Sequence, residues 1–192
     1  MKIANKIIAV LTGIIFLINS SASSQNDTTI NVSKKPRTPL KDKLVYGGNF
    51  GLQFGTVTYI DISPTVGYKV TEKFHAGIGA TYIYYSEKYN FTNGQTYTYK
   101  TDIYGGKIYE RYFVLENLFL HQETELLNLE VYDFLNDKVK RKNIISPLIG
   151  AGYIQRFGDT GGLFLMALFN LNETTDSPYS NPIIRVGFNF GL

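Results

Sequence analysis

The chain contains no cysteine and no tryptophan, and it has only two histidines and two methionines in 192 residues. Without cysteine it forms no disulfide, carries no lipoprotein anchor and offers no thiolate ligand to a metal. It also has no apolar run that reaches the roughly 20 residues of a membrane-spanning helix. What it has instead is 15 tyrosines, 13 phenylalanines and 18 glycines, a composition typical of strands and turns.

The amino terminus has the pattern of a secretory signal peptide. Two lysines precede an apolar run from Ile7 to Ile18, and small residues follow it. We therefore expect residues 1–24 to be a signal peptide, cleaved near Ala22–Gln25, with an uncleaved anchor as the alternative. The 19 basic residues less the two leader lysines leave 17 against 16 acidic ones, so charge gives no argument for nucleic-acid binding.

Beyond the leader, the pattern changes from polar to alternating. Residues 25–43 are polar and are predicted to form a flexible periplasmic linker. From Leu44 onwards apolar and polar residues alternate with a period of two, which indicates strands with one apolar and one polar face. The alternation predicts strands at residues 44–54, 60–69, 74–84, 101–114, 118–132, 143–157, 161–171 and 183–192.

An even number of strands and the pattern of the connections predict one closed barrel. The connections alternate in length. Short ones are expected at residues 71–73, 116–117 and 158–160, and long ones at 87–100, 133–142 and 172–182. Short turns at one end and long loops at the other are typical of outer-membrane barrels. We predict an all-β fold, an eight-stranded antiparallel up-and-down transmembrane β-barrel formed by residues 44–192.

Alternation alone does not tell which face points outward. A soluble lipocalin-like barrel turns its apolar face inward, whereas a membrane barrel turns it toward lipid. Single charges such as Lys69 and Arg185 lie within strands on the polar face, and lipid exposure there would cost about 2–4 kcal/mol. Aromatic residues also concentrate near the predicted strand ends, as in interfacial girdles. Both features favour the membrane arrangement.

Residues 44–192 resemble the small eight-stranded outer-membrane barrels of the OmpA/OmpX-like porin family, in particular those of flavobacteria and other Bacteroidetes. The resemblance lies in three segments, 105–113, 118–125 and 150–153. It implies a fold and a location in the outer membrane, and no activity. The last strand, with Phe188, Phe190 and Leu192 on one face, also resembles the signal read by the barrel-assembly machinery.

The strongest candidate site is a group of charged residues expected inside the barrel. The members of this predicted lumen charge network are Arg111, His121, Glu123, Glu125, Arg156 and Arg185. Because an eight-stranded barrel is only wide enough to be filled by side chains, these charges must pair. The network is therefore predicted to be an ion-pair plug, a binding or proton-transfer site, or the constriction of a gated narrow pore. His75 is predicted to be structural.

Two surface features complete the prediction. Lys138, Lys140, Arg141 and Lys142 form a basic patch that is expected in a surface loop, where it could meet lipopolysaccharide phosphates. Asn93-Gly94 is a strong turn signal, and it predicts that the third and fourth strands continue as a hairpin above the membrane. Such a hairpin has an open edge that can recruit an extracellular protein partner.

The sequence therefore predicts a non-enzymatic outer-membrane protein with an envelope-structural or surface-interaction role. The expected partners are outer-membrane lipid, lipopolysaccharide and the barrel-assembly machinery. A narrow porin is the first alternative, and a soluble lipocalin-like secreted ligand carrier is the second. No residue spacing indicates catalysis, a metal site or a cofactor.

Overall fold

The computed structural model of the chain describes residues 39–53, 57–90, 95–133, 138–158, 160–172, 174 and 177–191. The predicted signal peptide (1–24) and residues 25–38 of the predicted linker lie outside the described residues. The last four linker residues, Leu40–Lys43, form one turn of 3-10 helix directly before the first strand. In the described part of the chain, no helix is long and apolar enough to cross a membrane.

Eight antiparallel strands form a single closed sheet, in which each strand pairs with the next and the last pairs with the first. The strands are β1 (Leu44–Gln53), β2 (Val57–Lys69), β3 (Phe74–Asn90), β4 (Thr96–Phe113), β5 (Leu118–Asp133), β6 (Lys138–Phe157), β7 (Gly161–Asn170) and β8 (Ile183–Phe190). This confirms the predicted eight-stranded up-and-down barrel. Closure pairs both edges of the sheet, which removes the free edge strands of an open sheet.

The apolar face of the sheet points outward. Along β8, Ile184, Val186, Phe188 and Phe190 are exposed, whereas the residues between them are buried. Exposed large apolar side chains occur on all eight strands, and many are about half accessible, such as Leu165 at 54%. Charged residues lie inside, where Arg185 is 1% exposed. The membrane-type arrangement of the two faces is therefore the one that the barrel adopts.

The two ends of the barrel differ in their connections. Tight turns follow β2 and β4, where the backbone N–H groups of Val70 and Val114 donate to Phe74 and Leu118 at 2.9 and 3.0 Å. At the opposite end, β3 and β4 remain paired up to Asn90–Thr96, which confirms the predicted hairpin extension. The turn residues Asn93-Gly94 lie outside the described residues.

Two of the predicted long connections are shorter than expected. Residues 87–100 were expected to form one, but β3 runs to Asn90 and β4 begins at Thr96. Residues 133–142 were expected to be a long loop, but β5 and β6 stay paired up to Asp133–Lys138. The sequence of residues 133–142 resembles that of a loop because a strand that projects beyond the barrel wall needs no apolar face and can be polar on both sides. Only residues 134–137 separate the two strands.

The interior is closely filled, as expected for eight strands. Glycines on the inward side make room for the larger side chains. A Cβ atom on Gly77 would lie 2.6 Å from the Tyr109 ring, so the ring packs against bare backbone. Tyr109 is 8% exposed and stacks on His121 with ring centroids 5.6 Å apart.

Candidate functional site

Strand β5 carries the centre of the candidate site. Its inward residues run from Phe119 at the tight-turn end through His121, Glu123 and Glu125 to Leu127, and all five are buried. The charged residues are therefore enclosed between apolar ones along the same strand. Strand residues alternate between the two faces of the sheet, so these residues, spaced two apart along β5, all point into the lumen.

Arg185 on β8 reaches across the lumen to both carboxylates of β5. It is ion-paired with Glu123, and its Nη2 lies 3.3 Å from Oε1 of Glu125. The same guanidinium lies 3.2 Å from the Tyr179 hydroxyl, and its Nε is 3.8 Å from Oδ2 of Asp61. Arg185 thus links β8 with β5, β2 and the connection between β7 and β8.

Lys107 on β4 approaches the same carboxylates from another side. Its Nζ is 3.4 Å from Oε2 of Glu123 and 3.4 Å from Oε1 of Glu125, and it donates to Asn49 Oδ1 at 2.9 Å. Asp61 lies next to this group, where it accepts a hydrogen bond from Ser63 at 2.6 Å. Each of the three carboxylates therefore faces at least one cation.

Arg111 occupies the tight-turn side of these ion pairs. Its guanidinium carbon lies 4.2 Å from the ring centroid of Phe119 and 4.8 Å from that of Phe164. Its Nε is 3.5 Å from Nδ1 of His121, whose Nε2 is 3.2 Å from Oε2 of Glu123. The aromatic faces and the polar contacts together accommodate a buried cation.

We call these buried groups the lumen charge cluster; its members are Asp61, Lys107, Arg111, His121, Glu123, Glu125, Tyr179 and Arg185. Its three carboxylates are matched by three permanent cations, so the cluster is close to neutral with His121 uncharged. Balance matters here because an unpaired buried charge is strongly destabilising, whereas a paired one is tolerated. The arrangement suits a plug that ties strands together.

Five of the six residues predicted for the network meet in this cluster, and Arg156 does not. Arg156 has the inward parity of β6 but lies one residue from the strand end, and it is exposed. Its Nη2 donates to the backbone carbonyl of Glu116 at 3.1 Å, and its guanidinium covers the Phe113 ring at 5.5 Å. The prediction failed because parity fixes the side of the sheet but not the depth.

Sequence reasoning missed three members of the cluster. Lys107 shares the inward parity of Arg111 on β4, and Asp61 shares the parity of Lys69 on the polar face of β2, so extending the parity argument would have found both. Tyr179 lies in the connection between β7 and β8, where no periodicity exists. It is buried, and its hydroxyl donates to Oε2 of Glu125 at 2.5 Å.

A cleft of about 350 Å³ opens at the end with the extended hairpins. It is lined in part by Tyr59, Tyr85 and Tyr179, with Asp61 and Arg185 at its inner end. The cleft stops at the lumen charge cluster, and Phe119 on the far side of the cluster is fully buried. Within the described residues, no group of three His, Asp or Glu side chains is arranged to hold a metal ion.

The predicted basic patch lies on a strand and not in a loop. Lys138, Lys140, Arg141 and Lys142 are all exposed on the projecting part of β6. Arg141 is also a bridging residue: its Nη1 is 3.3 Å from Oε1 of Glu130 on β5, and its Nη2 donates to the Asp102 carbonyl on β4 at 2.8 Å. It spans the point where backbone pairing between β4 and β5 ends.

The residues predicted as an assembly signal lie on the outer face of β8. Phe188 and Phe190 are exposed, with ring centroids 5.4 Å apart. Leu192 lies outside the described residues. The site therefore divides into a charged interior and an apolar exterior, with polar hairpins at one end.

No family model matches this chain, and no curated protein matches it either. Among solved structures, it is similar to the N-terminal β-barrel domain of Pseudomonas aeruginosa OprF, with 14% identity and a TM-score of 0.42, over 77% of this chain and 96% of that one. It is also similar to a de novo designed transmembrane β-barrel, with 14% identity and a TM-score of 0.40, over 78% and 94% of the respective chains. These likenesses concern the fold and bring no activity to the chain.

Proposed function

We propose that this chain is a non-enzymatic outer-membrane β-barrel with a role in envelope structure or surface contact. The observation that carries the proposal is the inverted distribution of side chains. Apolar residues cover the outside of all eight strands, while six charged side chains of the described residues are buried in the lumen. In water this arrangement would expose a continuous apolar surface. In a bilayer the apolar outer face contacts lipid, and the charged side chains stay shielded in the lumen.

The filled lumen favours a structural role over catalysis or transport. Glu123 and Glu125 are 2% and 0% exposed, and each is engaged by Lys107 and Arg185. A catalytic carboxylate needs access to a substrate, which this packing does not provide. The lipocalin-like alternative requires an apolar lumen, and the lumen charge cluster is its opposite.

The contacts of such a protein would be made outside the wall. The exposed basic residues of β6 suit the phosphates of lipopolysaccharide, and the outer face of β8 suits the barrel-assembly machinery. Backbone pairing of β4 with β5 ends at Tyr104–Asn128, although β3 and β4 continue to Asn90–Thr96. This projecting hairpin supports recruitment of an extracellular partner strand. Membership of the OmpA/OmpX-like barrels of Bacteroidetes belongs to the proposal and rests on the sequence resemblance.

Fractionation and gel mobility test the proposal together. We expect the mature chain to be recovered with outer membranes and to be extracted only by detergent. We also expect the unheated protein to migrate differently from the boiled protein in SDS gels, since a closed barrel resists SDS until heated. Recovery in the soluble periplasmic or secreted fraction would contradict the proposal.

Planar-bilayer recording separates the structural role from the narrow-porin alternative. Because Arg185 and Lys107 cross the lumen and are held by two carboxylates, we expect no single-channel steps from the folded protein. A reproducible, ohmic conductance in preparations that show the folded gel band would favour the porin instead.

A further inference from the structure

The carboxylate of Glu110 lies on the outer face of the barrel wall. Glu110 on β4 belongs to the outward set of residues with Ile108 and Tyr112, both of which are exposed. Its Oε2 atom is buried against the wall and has no hydrogen-bond partner among the described residues. An ionisable side chain facing lipid is destabilising unless something pairs with it.

The depth of Glu110 places it inside the apolar belt. It lies three residues above the end of β4 at Phe113, which corresponds to roughly 8 Å along the barrel axis for a tilted strand. Tyr112, an outward aromatic residue expected at the membrane–water boundary, lies between Glu110 and the strand end. If the barrel spans a membrane as proposed above, water at the interface does not solvate this carboxylate fully.

A hydrogen-bond donor lies beside Glu110 at the same height. Gln122 on β5 is its cross-strand partner, and Thr124 follows two residues further along β5. Both side chains point outward and are partly exposed. Glu110 and Gln122 thus form a polar notch, one acceptor next to one donor, in an otherwise apolar surface.

Small residues lie on the outer face beside the notch. Ala76 on β3 is the cross-strand partner of Glu110. On β4, the outward residues next to Glu110 are first Ile108 and then Gly106. A Cβ atom on Gly106 would meet only the Gly79 carbonyl oxygen, at 3.8 Å. The packing of this barrel therefore does not require glycine there, whereas a neighbour that approaches closely from the membrane would.

We propose that this face is a homodimer interface in the membrane. A two-fold axis along the membrane normal that passes between β4 and β5 brings Glu110 of each copy opposite Gln122 of the other. Two amide-to-carboxylate hydrogen bonds then form, and each Glu110 carboxylate receives a hydrogen-bond donor from the other copy. Such a self-complementary patch is what an isologous interface requires. The inference rests on the proposed membrane location.

Crosslinking in liposomes tests the interface. The cysteine-free chain accepts single reporters, so we would treat Thr124→Cys, close to the proposed axis, with a short bis-maleimide. Ile184→Cys, exposed on β8 away from this face, is the matched control. We expect a dimer band for the first reporter and only the background level for the second. Equal crosslinking of both, or none in either, overturns the interface.

Exchange of donor and acceptor identifies the contact itself. In the Thr124→Cys background, Gln122→Glu places carboxylates opposite one another and should lower the dimer fraction roughly tenfold, since two membrane hydrogen bonds are lost. Glu110→Gln combined with Gln122→Glu restores one donor and one acceptor per contact and should restore the dimer. Unchanged crosslinking in Gln122→Glu, or no recovery in the exchanged variant, contradicts the proposal.

Gel mobility in the same samples separates the two hypotheses. If all variants keep the heat-dependent folded band in membranes but Thr124→Cys does not crosslink, the dimer is wrong and the membrane barrel stands. If the protein is not recovered in membranes at all, the proposed function fails, and the dimer fails with it.

Discussion

Replacing Arg185 with methionine is expected to lower the free energy of unfolding by about 3–5 kcal/mol. Arg185 is 1% exposed and contacts Glu123, Glu125 and Asp61, so its loss leaves three carboxylates with two cations, Lys107 and Arg111. Methionine fills much of the same volume, which separates the loss of charge from the loss of packing. Urea unfolding in liposomes, followed by the unheated gel band, gives the difference.

Arg156 is the matched control for this experiment. It is also an arginine of inward parity, but it is exposed near the strand end and bonds a backbone carbonyl. Arg156→Met should change stability by less than about 1 kcal/mol, as is typical of exposed charged groups. If both arginines have the same effect, the lumen charge cluster does not act as a structural plug.

Removing a carboxylate that Arg185 contacts gives a further check of the lumen charge cluster. Adding Glu123→Gln to Arg185→Met removes one of the unbalanced carboxylates, so the double variant should be less destabilised than the sum of the two single variants. Such non-additivity is expected for residues in one network of contacts. Additive losses would mean that Arg185 and Glu123 act independently.

Replacing Val186 with arginine is expected to destabilise the membrane-inserted barrel by about 2–4 kcal/mol, the magnitude for arginine facing lipid at mid-membrane. Val186 is the immediate neighbour of Arg185 but points outward, between Phe50 of β1 and Leu165 of β7. The same residue type is therefore required at one position and harmful at the next. Unfolding in liposomes measures the loss.

The control for the lipid-facing variant lies on the projecting hairpin. Thr98 is exposed on β4 beyond the level at which pairing with β5 ends. Thr98→Arg should leave both stability and membrane recovery unchanged. Full stability of Val186→Arg would mean that this face of β8 is in contact with water or with protein.

Much of this fold could be predicted from the alternation of its side chains, because a barrel wall with one apolar and one polar face imposes a period of two on every strand in it. Arg185, Glu123 and Glu125 were located inside the lumen from that period. The number of strands followed from it as well, since the alternation runs through eight separate stretches of the chain.

The errors occur where the two-faced barrel wall no longer constrains the sequence. Lys138 and Lys140 belong to a strand that projects beyond the wall, so nothing requires apolar residues to alternate with them. Arg156 obeys the parity but lies too near the strand end to be enclosed. Tyr179 reaches Glu125 from an irregular connection, and such a contact depends on tertiary packing that no periodicity encodes.

The central claim is that the apolar side chains face acyl chains, and a single-tryptophan reporter tests it most directly because the native chain has no tryptophan. Leu165→Trp, outward on β7, and Thr98→Trp, on the hairpin, would be compared in liposomes containing lipids brominated along their acyl chains. The account predicts strong quenching of the reporter at position 165 and little at position 98. An unquenched reporter at position 165 that aqueous iodide quenches readily, or a protein that stays dissolved in buffer without detergent, would contradict it.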